Sequence, residues 1–196
     1  MASQYRMPST FLRRKWERVF YTFFDINRNK KIDWDDFDKL FDKIKSLRGE
    51  DSHEYRIASE SMGMVWKGLL MATKGLDIAA EVPADAEITV QEWDMIWQAF
   101  NPIHMPIWQW EYLKYMFLLL DETGDKLLDR KEYSNVMAIY GLSKADADRA
   151  FDQFAVDDKT QRKVDKIDYG VFVKRWNEYF TSEDRNAPGS ALFGPP

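Results

Sequence analysis

The chain has 196 residues, 45% hydrophobic and 15% aromatic, enough apolar matter for one closed core or two small lobes packed together. Its 28 basic and 33 acidic residues leave a net charge of −5, which argues against the clustered positive surface of a nucleic-acid groove. With no cysteine there is no disulfide frame and no thiolate metal site, and no apolar run approaches the roughly 18 residues of a membrane span. The N-terminus lacks the apolar core of a signal peptide and carries Ala2 where N-myristoylation needs glycine, so a cytoplasmic protein is expected.

Helical periodicity dominates. Pro8-Ser9-Thr10 predicts a helix start, followed by Phe11, Lys15, Val19, Phe20, Phe23 and Phe24 at mostly helical spacing. A second helix carries Phe37, Leu40, Phe41 and Ile44, and a third runs from about His53 to Thr73. A fourth holds Trp93, Ile96, Trp97 and Phe100. Residues 101–106 contain Pro102 and Pro106, which a helix interior does not accept, and they divide the chain into units 1–101 and 106–180. Further helices are expected near 108–120, 130–140, 144–155 and 166–180. Residues 181–196 read as an irregular tail that keeps two apolar residues, Leu192 and Phe193. Strand signals are nearly absent, so the fold class is all-α.

Four twelve-residue segments align: 25–36, 81–92, 121–132 and 157–168. Their twelfth residues, Asp36, Glu92, Glu132 and Asp168, are all acidic. Their eighth residues, Ile32, Ile88, Leu128 and Val164, are aliphatic, and an aromatic (Phe37, Trp93, Tyr133, Tyr169) follows each. This is the pattern of a calcium loop. Ca²⁺ takes about six to eight oxygens at roughly 2.3–2.6 Å, drawn from loop positions 1, 3, 5, 7, 9 and 12. The aliphatic eighth residues join two loops back to back, which predicts Ile32 facing Ile88 and Leu128 facing Val164.

The third segment supplies Asp121, Thr123, Asp125, Asp129 and Glu132, with the carbonyl of Leu127 at position 7. The first supplies Asp25, Asn27, Asn29, Asp33 and Asp36, with the carbonyl of Lys31. Both place lysine, Lys126 and Lys30, at position 6, where glycine usually provides a left-handed turn; strain of about 1–2 kcal/mol is expected there. Asp36 is one methylene shorter than glutamate, which favours six-coordination and therefore competition by Mg²⁺. The second segment is a poorer donor set, with Pro83 at position 3 and Ala86 at position 6. The fourth has Lys159 and Arg162 inside the would-be cage and reads as silent.

With Asp25-Ile-Asn-Arg-Asn followed by Ile32-Asp-Trp-Asp-Asp-Phe37, the sequence resembles the EF-hand superfamily, and within it the sarcoplasmic calcium-binding proteins and calexcitins of invertebrates. The long connector between the first two hands and the tail segment from Asn186 to Gly194 are similar to that family over essentially the whole chain. The resemblance implies four helix–loop–helix hands packed as two pairs in one globule, a tail folded back onto the core through Leu192 and Phe193, and a monomeric Ca²⁺ buffer that is not an enzyme. Two other roles follow from related proteins: a sensor that exposes an apolar groove to a helical target, and, remotely, a calcium-triggered photoprotein. The nine methionines are scattered, and His53 and His104 have no partner ligand in sequence. Trp108, Trp110, Tyr112, Tyr115 and Phe117 read as core, and Arg13-Arg14-Lys15 as a solvated helix face.

Overall fold

The computed structural model describes residues 7–101 and 104–195. The leader reading of residues 1–6 and the prolyl break at Pro102 and Ile103 therefore fall outside the described residues. Helix α1 (Thr10–Val19) begins where Ser9 caps it, its hydroxyl accepting from the Leu12 amide at 3.2 Å. It passes into a π turn at Phe20–Phe24. Helix α2 (Trp34–Arg48) and α3 (His53–Lys74) follow, α3 stopping at Gly75, whose φ of 67° needs no Cβ. The remaining helices are α4 (Val90–Gln98), α5 (Ile107–Leu120), α6 (Arg130–Ile139), α7 (Lys144–Phe154) and α8 (Tyr169–Thr181).

Short strands tie the loops in pairs, as the aliphatic eighth residues predict. Strand β1 (Lys31–Ile32) runs antiparallel to β2 (Ile88–Thr89) with Ile32 opposite Ile88. Strand β3 (Leu127–Asp129) pairs with β4 (Lys166–Asp168), but Leu128 faces Ile167, not Val164. The four hands thus pack as two pairs within an all-α fold.

The fourth hand departs from the expected register for a readable reason. Asp33, Thr89 and Asp129, the ninth loop residues, cap the three exiting helices α2, α4 and α6; in the fourth hand that place is taken by Asp168. Counting from Asp168 puts position 8 at Ile167 and position 12 at Val171. The aromatic that follows the loop in the first three hands, Phe37, Trp93 or Tyr133, is fully buried; in the fourth, Phe172 is buried while Tyr169 is 36% exposed. Residues 156–163 form a small hairpin, bridged Val156 to Lys163, which lengthens the loop. Helix α8 accordingly starts at Tyr169 rather than near 166.

One continuous apolar cluster spans both pairs. Helix α3 lies on α5, and α1 lies on both α4 and α8. Two buried indole N–H groups find carbonyls across these seams: Trp93 donates to Trp16 at 2.9 Å and Trp16 to Phe180 at 3.0 Å. Trp97 stacks on Phe180 with centroids 3.7 Å apart. Trp108, Tyr112, Tyr115 and Phe117 are core residues as expected, while Trp110 is exposed.

The tail is more ordered than its composition suggests. A 3₁₀ turn at Pro188–Ala191 packs on α7 and α8, and Ala191, Leu192 and Phe193 are buried. The Phe193 ring meets Phe23, Trp176 and Tyr179 at centroid distances of 5.0, 5.6 and 4.9 Å. Gly189 permits this approach, since a Cβ there would lie 2.4 Å from the Arg175 carbonyl oxygen. Lys15 corrects the reading of Arg13-Arg14-Lys15 as a solvated face. It is 3% exposed and reaches inward, donating to the Ser182 carbonyl at 2.7 Å and the Ser190 hydroxyl at 3.2 Å.

Candidate metal-binding loops

The first and third loops share a backbone course. Each entering helix ends at the position-1 aspartate, Asp25 or Asp121, with near-identical ψ values of 69° and 78°. Left-handed φ angles follow at position 4 (Arg28, 61°; Gly124, 71°) and at position 6 (Lys30, 70°; Lys126, 66°). The two lysines adopt the turn that glycine usually supplies, and the carboxylates repay the strain locally. Asp25 Oδ2 accepts the Lys30 amide at 3.1 Å, and Asp121 Oδ2 accepts the Lys126 amide at 3.0 Å.

The twelfth residue closes each loop. Asp36 accepts from the amides of Asn27 at 2.9 Å and Asp33 at 3.0 Å. Glu132 accepts from the amides of Thr123 and Asp129, both at 2.9 Å, and from the Thr123 hydroxyl at 2.8 Å. Positions 1 and 12 are buried in both loops: Asp25, Asp36, Asp121 and Glu132 are each 1–5% exposed. Burial pushes the Asp36 carboxyl above the usual carboxylate range, against the two amides that pull it down.

These residues fit a hard cation. In the first loop, Asp25 Oδ1 and Asp33 Oδ1 are buried oxygens with no hydrogen-bond partner, a condition that a cation relieves. Every carboxylate oxygen that accepts one amide retains lone-pair capacity for a second interaction. Asn27 and Asn29 turn their side-chain oxygens to the amides of Asn29 and Lys31, and Asp125 turns one oxygen to the Leu127 amide. Among the described residues, no three His, Cys, Asp or Glu side chains are gathered as a ready cluster. In the third loop Asp125 Oδ2 lies 2.7 Å from Lys166 Nζ on β4. That hydrogen bond, followed by the Leu127 amide, holds the Asp125 carboxyl below its ordinary range.

The other two hands carry built-in cations. In the second loop Glu92 caps α4 through Thr89, and Lys74 at the end of α3 binds its other oxygen. Burial raises the Glu92 carboxyl, but Lys74 and Thr89 together hold it low. In the fourth hand Arg175, with a fully buried side chain, donates to the carbonyls of Phe154 and Val156, both at 2.8 Å, and to Asp158 at 2.8 Å. Asp157 is consumed by its own hairpin, accepting from the Lys159 and Thr160 amides and the Thr160 hydroxyl. Lys74, Lys166 and Arg175 were not singled out from the sequence. Their register relative to the paired strands was the missing signal.

No family model matches the chain. It is 31% identical over 184 residues to calexcitin-1 of Caenorhabditis elegans, covering 94% of this chain and 86% of that one. It is 24% identical over 143 residues to sarcoplasmic calcium-binding proteins I, III and IV of Branchiostoma lanceolatum, covering 69% of this chain and 74% of theirs. Among solved structures, a sarcoplasmic calcium-binding protein from amphioxus superposes with a TM-score of 0.76 at 19% identity, covering 97% of this chain and all of that one. The photoprotein clytin shares the fold at a TM-score of 0.66 and 18% identity, covering 99% of this chain and 100% of its own. With two loop pairs in register and that identity running along nearly its full length, the chain belongs to the EF-hand family of calexcitins and sarcoplasmic calcium-binding proteins.

Proposed function

We propose that the protein binds Ca²⁺ through its first and third loops and acts as a cytoplasmic buffer for which Mg²⁺ competes. The observation that carries this is the common geometry of those loops: left-handed position 6, its amide on the position-1 carboxylate, and a buried acid at position 12. Asp25, Asn27, Asn29, Asp33, Asp36 and the Lys31 carbonyl would hold one ion. Asp121, Thr123, Asp125, Asp129, Glu132 and the Leu127 carbonyl would hold the other. Bound there, the ion neutralises carboxylates that otherwise repel one another.

Buffering is favoured over sensing because the tail already fills the core. Phe193 lies among Phe23, Trp176 and Tyr179, and Tyr133 pins the tail by donating to the Leu192 carbonyl at 2.9 Å. A sensor needs that volume free for its target. The shorter Asp36 suits the smaller Mg²⁺, which must leave before Ca²⁺ enters.

Calorimetric titration of the metal-free protein tests this. About two Ca²⁺ sites are expected, weakened by millimolar Mg²⁺, with Asp25→Asn and Asp121→Asn each removing one. A tight site that survives the double substitution would place binding in the second or fourth loop. Insensitivity to Mg²⁺ would refute the buffer reading.

A further inference from the structure

The basic residues of α1 gather at a place that the loops do not touch. Arg14, Lys15 and Arg18 project from α1 towards Arg185 of the tail, around a depression of about 230 Å³ whose apolar side is the Phe11 ring. Lys15 Nζ lies 4.9 Å from the centroid of that ring and the Arg185 guanidinium 4.7 Å from it. Among the described residues, Arg14, Lys15 and Arg185 form no salt bridge. The nearby acids are hydrogen-bonded to other donors: Glu183 accepts from the Ser9 amide at 2.9 Å, and Glu178 from Gly189 and Arg175, so that Glu178 acts on Lys15 only through space.

We propose that this depression binds a phosphate group, whether inorganic phosphate or the phosphate of an anionic lipid headgroup. Lys15 is the centre of the argument. Its ammonium is almost wholly removed from water, yet it hydrogen-bonds only two neutral acceptors, the Ser182 carbonyl and the Ser190 hydroxyl, beside the faces of the Phe11 and Tyr179 rings. An ammonium has three N–H bonds to give, so one remains for a ligand. Burial lowers the Lys15 pKa to about 8, and the charge of Glu178 offsets that burial only in part. A tetrahedral oxyanion relieves that burial. It also suits Arg14 and Arg185, whose planar forks present paired N–H donors to phosphate oxygens. Arg18 completes the ring while donating to the Pro195 carbonyl, so a bound phosphate would tie α1 to both ends of the tail. The opening is small, so the rest of any ligand would stay in solvent.

The site shares no residue with the loops, and its test is independent of them. The metal-free full chain would be titrated with sodium phosphate against sodium chloride at matched ionic strength, followed by calorimetry and by the NMR shifts of the 182–190 amides. Sedimentation with phosphatidylcholine vesicles, with and without phosphatidic acid, separates the two phosphate sources. Binding in the millimolar range is expected, at least about tenfold weaker in Arg14→Gln/Arg185→Gln, both exposed positions whose loss should leave the fold and the Ca²⁺ titration unchanged. A charge-matched control, Arg56→Gln/Arg162→Gln, should bind as the native chain does. Saturation by free phosphate assigns a soluble ligand, and binding only to phosphatidic acid vesicles assigns a headgroup. Equal binding by the site variant and the control, or no binding to either probe, overturns the proposal.

Discussion

Lys166 offers the sharpest test of how the third loop is tuned. Its ammonium sits 2.7 Å from Asp125 Oδ2, on side chains 41% and 39% exposed, and a cation taking Asp125 as a ligand must break that pair. Exposed pairs contribute about 0.2–1 kcal/mol, so Lys166→Gln should raise third-loop Ca²⁺ affinity about 1.4- to 5-fold. The first loop serves as an internal reference. Its strand lysine, Lys31, pairs at 2.5 Å with Glu87, which is not a loop donor, so first-loop affinity should not move. The assay is calorimetry on the native chain, which reads the first-loop reference, and on the Asp25→Asn background, which isolates the third loop, at low salt and again near 1 M salt. The gain should shrink at high salt, where the Debye length is about 3 Å. Unchanged or weaker affinity at low salt would refute the idea that Lys166 competes with the metal.

Three further outcomes follow from the core and the tail. Phe193→Ala removes a buried ring and should destabilise the protein by about 3–5 kcal/mol, or roughly 6–20 °C in Tm at about 2–4 °C per kcal/mol; a loss below about 1 kcal/mol would mean the tail is not core. Arg175→Met removes the buried donors of the Phe154 and Val156 carbonyls and leaves Asp158 to Lys174 alone. A loss of about 1–3 kcal/mol by urea unfolding is expected, and a neutral result would remove Arg175 as the clamp of the fourth hand. Lys15 releases its proton near pH 8 in the folded chain but only near 10.5 when unfolded, so between these values the unfolded state holds more protons. Stability therefore gains an upward slope with pH across that window. Lys15→Met should flatten it, and identical slopes for the two proteins would contradict the burial.

What the sequence disclosed, and what it withheld, follows from where each signal resides. The start of the first helix was legible because capping is local: Ser9, expected from Pro8-Ser9-Thr10, bonds the amide three residues on. The pairing of Ile32 with Ile88 was legible because each hand repeats a residue type at a fixed offset. The fourth hand broke that inference. Its acids at 157, 165 and 168 imitate a loop in the old register, while burial selects another in which Ile167 and Phe172 face the core. Apolar residues that must be buried set register more firmly than acids that water can solvate. The same ranking explains Lys74, Lys166 and Arg175. Each meets its acid across elements that only folding brings together, Lys74 and Glu92 being 18 residues apart and Lys166 and Asp125 being 41. In the second and fourth hands a basic side chain joins separate elements of the hand, Lys74 on α3 to Glu92 on α4 and Arg175 on α8 to the carbonyls of Phe154 and Val156. In the third, the attached cation sits on an exposed position-5 acid and not on the buried Asp121 or Glu132. If that loop takes Ca²⁺ as proposed, a lysine at that place would tune affinity without closing the loop.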